Sequence, residues 1–287
     1  MSVAQLSGGR VAQVARRASK RDPLVVVSLV VIALLAIVAV FGPLLAPYDP
    51  NQLFTGPTAG HPSASHPFGT DDLGRDILSR VLVGGRVSLF APIAIVVLSS
   101  ALGMVVAILA AWFGGWVDGI LARLIDVVFA IPGLVLAVLA VAMFGKGVTA
   151  PIIALSIAYM PIIARLMRTA AMTELGKPYV AALRIQGLGG FAIFARHLVP
   201  ALLPPLLAQA TVGFGYAMLD LAAISYLGLG QQPPTADWGV MISAGQPSIL
   251  AGAPEQSLFP AILIVITVLA VNVVGARVTT WAEGKDR

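Results

Sequence analysis

The sequence predicts an all-α membrane protein with six transmembrane helices, and three observations carry that prediction. Of the 287 residues, 58% are hydrophobic and only 11% are charged, where a soluble domain carries about 25% charged residues. Six long stretches are free of charge, at 23–48, 87–117, 127–145, 147–164, 198–219 and 256–276. The 18 Lys and Arg residues fall unevenly on the segments around those stretches. Together these features exclude a disordered chain and an ordinary cytosolic enzyme.

A bilayer core about 30 Å thick takes about 20 apolar helical residues. That places the spans at 24–46, 89–112, 120–143, 148–167, 202–224 and 258–280. With the N-terminus in the cytoplasm, the inner segments hold 14 Lys and Arg residues, and the outer segments hold 4: Arg75, Arg80, Arg86 and Lys146. Cations collect on the cytoplasmic side of membrane proteins, so both termini are expected there. The basic charge is thus membrane asymmetry, not a nucleic-acid surface. The apolar stretch at 23–47 exceeds the ~7–15 residues of a signal-peptide core. It reads as an uncleaved first span behind a cytoplasmic tail at 1–22, and a second tail follows at 281–287.

Residues 48–88 form the longer outer loop, loose and rich in Gly, Pro, Ser and His up to about residue 67. Thr70, Asp71 and Asp72 resemble a helix start, a hydroxyl cap with two acids at the positive dipole end. Leu73, Ile77, Leu78, Val81 and Leu82 recur at helical spacing, and Gly84-Gly85 is expected to stop the helix. The expectation is a short amphipathic helix on the membrane surface or under a partner subunit. Five further spans occupy 89–280. The inner loop at 168–201 carries two helical patterns. Pro178 suits a first helical position, with Tyr179, Val180 and Leu183 on one face. Gly187 and Gly189-Gly190 break the pattern, and Phe191, Phe194 and Leu198 form a second stripe that Pro200 is expected to end. The outer stretch 225–257 is rich in turn residues and has only Asp237 and Glu255 as charges.

The sequence has no cysteine, which removes disulfides, thiolate metal sites and a cysteine nucleophile. His61, His66 and His197 do not cluster, and neither His-Glu-x-x-His nor Gly-x-Ser-x-Gly occurs, which argues against a membrane enzyme. An ion-coupled transporter needs ionisable groups deep in its spans. Only Asp126 and Asp220 are available, both near span ends. Asp126 is expected to pair with Arg123 at i, i+3. Asp220 either lines a substrate path or meets a partner. Pro132, Pro151 and Pro161 are placed to kink spans. The pairs Gly145-Lys146, Gly176-Lys177 and Gly284-Lys285 all lack the upstream Gly of a phosphate-binding loop, so any uphill transport must draw its energy from another chain or an ion gradient.

Several segments resemble the permease subunits of ABC importers for peptides and nickel, the DppC/OppC type. They are His66-Pro67-Phe68-Gly69-Thr70-Asp71-Asp72-Leu73-Gly74-Arg75-Asp76; the stretch Tyr179 to Pro200, similar to the EAA loop and ending Arg196-His197-Leu198-Val199-Pro200; and Ser225-Tyr226-Leu227-Gly228-Leu229-Gly230 with Pro233-Pro234 and Trp238-Gly239. The chain departs at Ala181, where the family usually has Glu, and at Leu183, where it usually has Ala. The resemblance implies a MetI-like type I importer permease fold and no catalytic, metal or cofactor site in this chain. ATP and Mg would be bound by two partner ATPase subunits. A sister permease of the DppB/OppB type and an extracytoplasmic solute-binding protein are the other implied partners. It further implies that residues 174–200 form the ATPase-coupling loop, with Tyr179, Ala181, Ala182, Leu183, Arg184 and Gly187 at the contact. Asp220, Tyr226 and Trp238 are then expected on the substrate path or outer gate. The cargo that the resemblance implies is a di- or oligopeptide, with glutathione or nickel as alternatives.

Overall fold

The computed structural model describes residues 23–285, with side chains for 23–278. The expected tail at 1–22 and the last two residues of the tail at 281–287 lie outside the described residues. Among the described residues the regular structure is helical, with one isolated bridge between Thr70 and Asp76 and irregular backbone at 46–76 and 227–237. The elements are α1 (Pro23–Leu45), α2 (Ile77–Phe113), α3 (Gly115–Phe129), α4 (Gly133–Phe144), α5 (Thr149–Leu175) and α6 (Pro178–Ile185). These are followed by α7 (Gly190–Ile193), a π-helical stretch (Phe194–Leu198), α8 (Val199–Tyr226), α9 (Trp238–Ala244), α10 (Gln246–Leu250) and α11 (Glu255–Lys285).

Five helical segments are long and apolar enough to cross a membrane, and α3 with α4 makes a sixth when the bent pair is counted as one span. The bend is 80° and lies at Ala130-Ile131-Pro132. Pro132 offers no N–H and disfavours helical geometry at the residue before it. Pro151 and Pro161 lie inside an unbroken α5, so of the three candidate prolines only Pro132 marks a break.

The helices pack in three layers of contact. Leu35 and Ala39 of α1 meet Val81 and Leu89 of α2, Phe214 and Met218 of α8, and Ile264 of α11, with Trp238 at the centre of this cluster. Ile95, Ala137, Leu155, Ala217 and Ile224 join α2, α4, α5 and α8 in a second cluster. Met104, Ile108, Ile163, Met167, Leu198 and Leu202 form the third, toward the opposite end. α2 and α5 form the most extensive helix pair.

Two expectations about local structure are corrected. There is no separate surface helix at 70–84 and Gly84-Gly85 does not stop one. α2 begins at Ile77, capped by Asp76, whose carboxylate accepts from the Ser79 N–H at 2.8 Å, and it runs unbroken to Phe113. The two glycines serve close approach instead. A Cβ at Gly84 would lie 3.2 Å from the Ala236 and Asp237 backbone, and one at Gly85 would lie 3.2 Å from the Trp238 ring. Pro200, likewise, does not end the second helix of the inner loop. It sits in the first turn of α8, where a missing N–H costs nothing. The preceding π turn, closed by Val199 N–H to the Phe194 carbonyl, joins α7 to α8.

The segment at 47–76 folds into an irregular clasp over one end of the bundle. Asp71 accepts from the Leu73 and Arg75 N–H groups and holds the Arg75 guanidinium at 2.6 Å. His66 meets Asp76 at 2.9 Å, both buried. Arg80 donates to the Pro50 carbonyl at 2.8 Å. The stretch 225–257 joins the same end: Gln256 accepts from the Asp72 N–H, and Glu255 pairs with His61 at 2.8 Å.

Candidate functional site

Two features stand out, one at the end of the bundle away from the clasp and one inside it. At that far end, α6 follows Lys177 with Pro178 as its first residue. Only Val180 is fully buried, so one apolar side chain anchors the helix and the rest of it projects. Tyr179 donates to Glu174 at 2.7 Å, and Lys177 pairs with the other Glu174 oxygen at 2.7 Å. Burial, then the adjacent Glu174 carboxylate, pushes the Tyr179 phenol up to about 12, so it stays neutral and the hydrogen bond is kept. Ala181, Ala182 and Arg184 are exposed and Leu183 is half-buried. The Arg184 guanidinium lies over the Trp112 ring of α2 at 5.6 Å. Gly187 turns the chain with φ +80°, a conformation that costs other L-residues about 1–2 kcal/mol.

The structure therefore gathers all six loop residues on one short projecting helix and its turn. It adds two that were not singled out for this contact: Ile185, 87% exposed, and Phe191, 80% exposed. Large apolar side chains this open in the isolated chain mark a surface covered by a partner or by lipid. The loop is tied to the bundle through Trp112 of α2 and Glu174 of α5, and α5 is in turn tied to α3 by Arg168, which pairs with Asp118. Asp126 pairs with Arg165 of α5 at 2.6 Å, not with Arg123. The 80° bend lays α3 beside the end of α5, where Arg165 also stacks on Phe129 at 4.5 Å.

Between them, α2, α5 and α8 line a cavity of about 370 Å³ that is open to one side, where Tyr216 is 63% exposed. Gln209, Gly213, Tyr216 and Asp220 line it at positions i, i+4, i+7 and i+11 of α8, which is one helix face. Tyr159 of α5 donates to Asp220 at 2.6 Å, and Ser99 of α2 adds a hydroxyl. The spacing around Asp220 is a signal readable in the sequence. Tyr159, 61 positions away, is not.

The other two expected path residues lie elsewhere. Trp238 is fully buried and donates from its indole to the Val81 carbonyl at 2.9 Å. Asp237 caps α9 and accepts from Ser88 at 2.8 Å. Tyr226 meets Gln246 of α10 at 3.1 Å. Neither Tyr226 nor Trp238 lines the cavity with Asp220.

A multi-span helical bundle, a projecting helix–Gly turn at one end and a polar cavity within the spans define the class of a transport permease. The family described as the binding-protein-dependent transport system inner membrane component matches residues 103–285, and the N-terminal TM domain of oligopeptide transport permease C matches residues 11–62. The chain belongs to that family, and it is a multi-pass permease subunit of an ABC importer. It is 35% identical over 261 residues to the dipeptide transport system permease protein DppC of Alkalihalophilus pseudofirmus, covering 89% of this chain and 84% of that one. It is 36% identical over 265 residues to the glutathione transport system permease protein GsiD of Escherichia coli O6:K15:H31, covering 90% and 86%. A solved amino acid ABC transporter, crystallised with histidines, superposes with a TM-score of 0.51 at 18% identity, covering 72% of this chain and 94% of that one, which speaks to the fold.

Proposed function

We propose that this permease subunit imports small peptides on ATP hydrolysed by partner subunits, with delivery by an extracytoplasmic solute-binding protein. The observation that carries the coupling half of this reading is the projecting α6 with its Gly187 turn. A short rigid helix, held to α2 through Arg184 and Trp112 and to α5 through Glu174, is suited to pass rigid-body motion of a docked motor into the spans. Ala181 and Ala182 permit close approach, while Leu183, Ile185 and Tyr179 supply the contact area. ATP and Mg belong to two ATPase subunits docked there, and a sister permease completes the pore. The α6 end is cytoplasmic, in keeping with the 14 to 4 distribution of Lys and Arg, and both termini lie on that side.

Peptide cargo is favoured by the dipeptide permease relative. Glutathione, itself a small peptide, is the second reading, favoured by the equally similar GsiD. The test is reconstitution of the co-encoded complex in proteoliposomes with dipeptides, longer peptides, glutathione and nickel as cargoes. Peptide uptake that requires both ATP and the binding protein is expected. Uptake driven by an ion gradient without ATP, or uptake of nickel alone, overturns the reading.

A further inference from the structure

We propose that the cavity between α2, α5 and α8 is a transit subsite for a protonated amine, in which the Asp220 carboxylate, fixed by Tyr159, receives the cargo's ammonium group. This deepens the peptide-import reading and rests on it.

Four observations converge. First, Asp220 sits six residues inside the Tyr226 end of α8, within a span, where an acid is costly unless it faces a cavity and meets a partner. Second, its protein partner is neutral. Oδ2 accepts from the Tyr159 phenol at 2.6 Å, no Lys or Arg lines the cavity, and Oδ1 takes no hydrogen bond from the described residues. The charge is thus oriented but not neutralised. The other acids of the span bundle differ, since Asp118 and Asp126 each hold an arginine.

Third, the acid is one end of a polar stripe. Gln209 lies 11 positions earlier on the same face of α8, about 16 Å along the helix at 1.5 Å per residue. Tyr216, 63% exposed in this chain, lies between them. Lipid does not tolerate such a stripe, so this face turns toward the pore rather than toward the bilayer. Fourth, the remaining lining is apolar, with Val96, Ile162 and Ile163 among it. An anchoring charge beside apolar walls matches a small peptide: ammonium to Asp220 and side chain to the walls, with the Gln209 amide, about 16 Å along the helix, placed for the far end of a longer peptide. Bare nickel would want several oxygen or nitrogen ligands, and the cavity offers one carboxylate.

The test uses the whole transporter in nanodiscs without its binding protein. Ala-Ala and N-acetyl-Ala-Ala serve as probes, read by saturation-transfer NMR. Wild type is expected to give a strong signal for Ala-Ala and a weak one for the acetylated peptide. Asp220→Asn is expected to weaken Ala-Ala binding about tenfold or more, the loss of a charge-assisted hydrogen bond, and Asp220→Glu to restore part of it. Tyr159→Phe, which leaves the charge but frees it to rotate, should fall between. Equal Ala-Ala signals in wild type and Asp220→Asn overturn the subsite. So does loss of the sister permease on purification of Asp220→Asn while Tyr159→Phe stays intact, because the carboxylate then serves the subunit interface. The peptide-import reading fails separately, in the ATP-dependent uptake panel of the wild-type complex.

Discussion

Trp238 fills the centre of the first core cluster with a side chain that is fully buried and hydrogen-bonded to Val81. Its neighbour Asp237 is bonded to Ser88 and caps the helix that Trp238 begins. These contacts hold the 225–257 stretch against α2 and put the tryptophan in the packed core. Trp238→Ala should cost about 3–5 kcal/mol, seen as a large drop in the thermal midpoint of the purified complex. Trp238→Phe loses mainly the hydrogen bond, about 1 kcal/mol, and should sit close to wild type. A gate residue would behave oppositely, with altered uptake at unchanged stability. Gly187 is the second informative position. Nothing lies within 4 Å of a Cβ placed there, so substitution is opposed by backbone strain alone. Uptake should fall in the order Gly, Asn, Ala, since Asn tolerates the left-handed conformation better than Ala.

At the scale of elements, the projecting α6 separates stability from coupling. Ile185 is almost fully open to water within this chain, so Ile185→Glu should leave the midpoint of the isolated permease unchanged. It should nonetheless abolish co-purification of the ATPase subunits or ATP-dependent uptake. A lowered midpoint would show that Ile185 serves the fold instead. Long elements were legible because about 20 apolar residues in a row have few other uses. The short helix α6 and its turn were legible from Pro178 and Gly187. The start of α2 was not, because Ser79, Arg80, Gly84, Gly85 and Arg86 look like a surface helix that breaks. Only Trp238 and the Asp237 backbone, some 150 positions away, explain why that segment is one continuous helix packed at the glycines. The cavity was half legible: Asp220 was visible as a rare intramembrane acid, while Tyr159 and Ser99 depend on how α5 and α2 pack against α8.

For the whole molecule, the fold sets two ends apart and charge decides which is which. α5 has 27 residues, about 40 Å at 1.5 Å per residue, enough to cross a bilayer. At its Leu175 end lie Arg165, Arg168, Lys177 and Arg184; the opposite end carries the clasp with Arg75 and Arg80, held near Pro50 and Pro234. The positive-inside rule then predicts α6 on the cytoplasmic side and the clasp outside. The chain has no cysteine, so a single introduced thiol reports its own side without background. Gln186→Cys, on the exposed end of α6, should react with a membrane-impermeant maleimide only after the cells are opened. Leu250→Cys, at a position 90% exposed at the clasp end, should react in intact cells. The reverse pattern would turn the protein over in the membrane and place α6 where no ATPase can reach it. Labelling of both positions from one side would mean an even number of crossings between 186 and 250, where α8 as described provides one, and would require α8 to enter and leave by the same face. Opposite-sided labelling therefore tests the crossing of α8, the direction of the whole bundle and the docking side of α6 together.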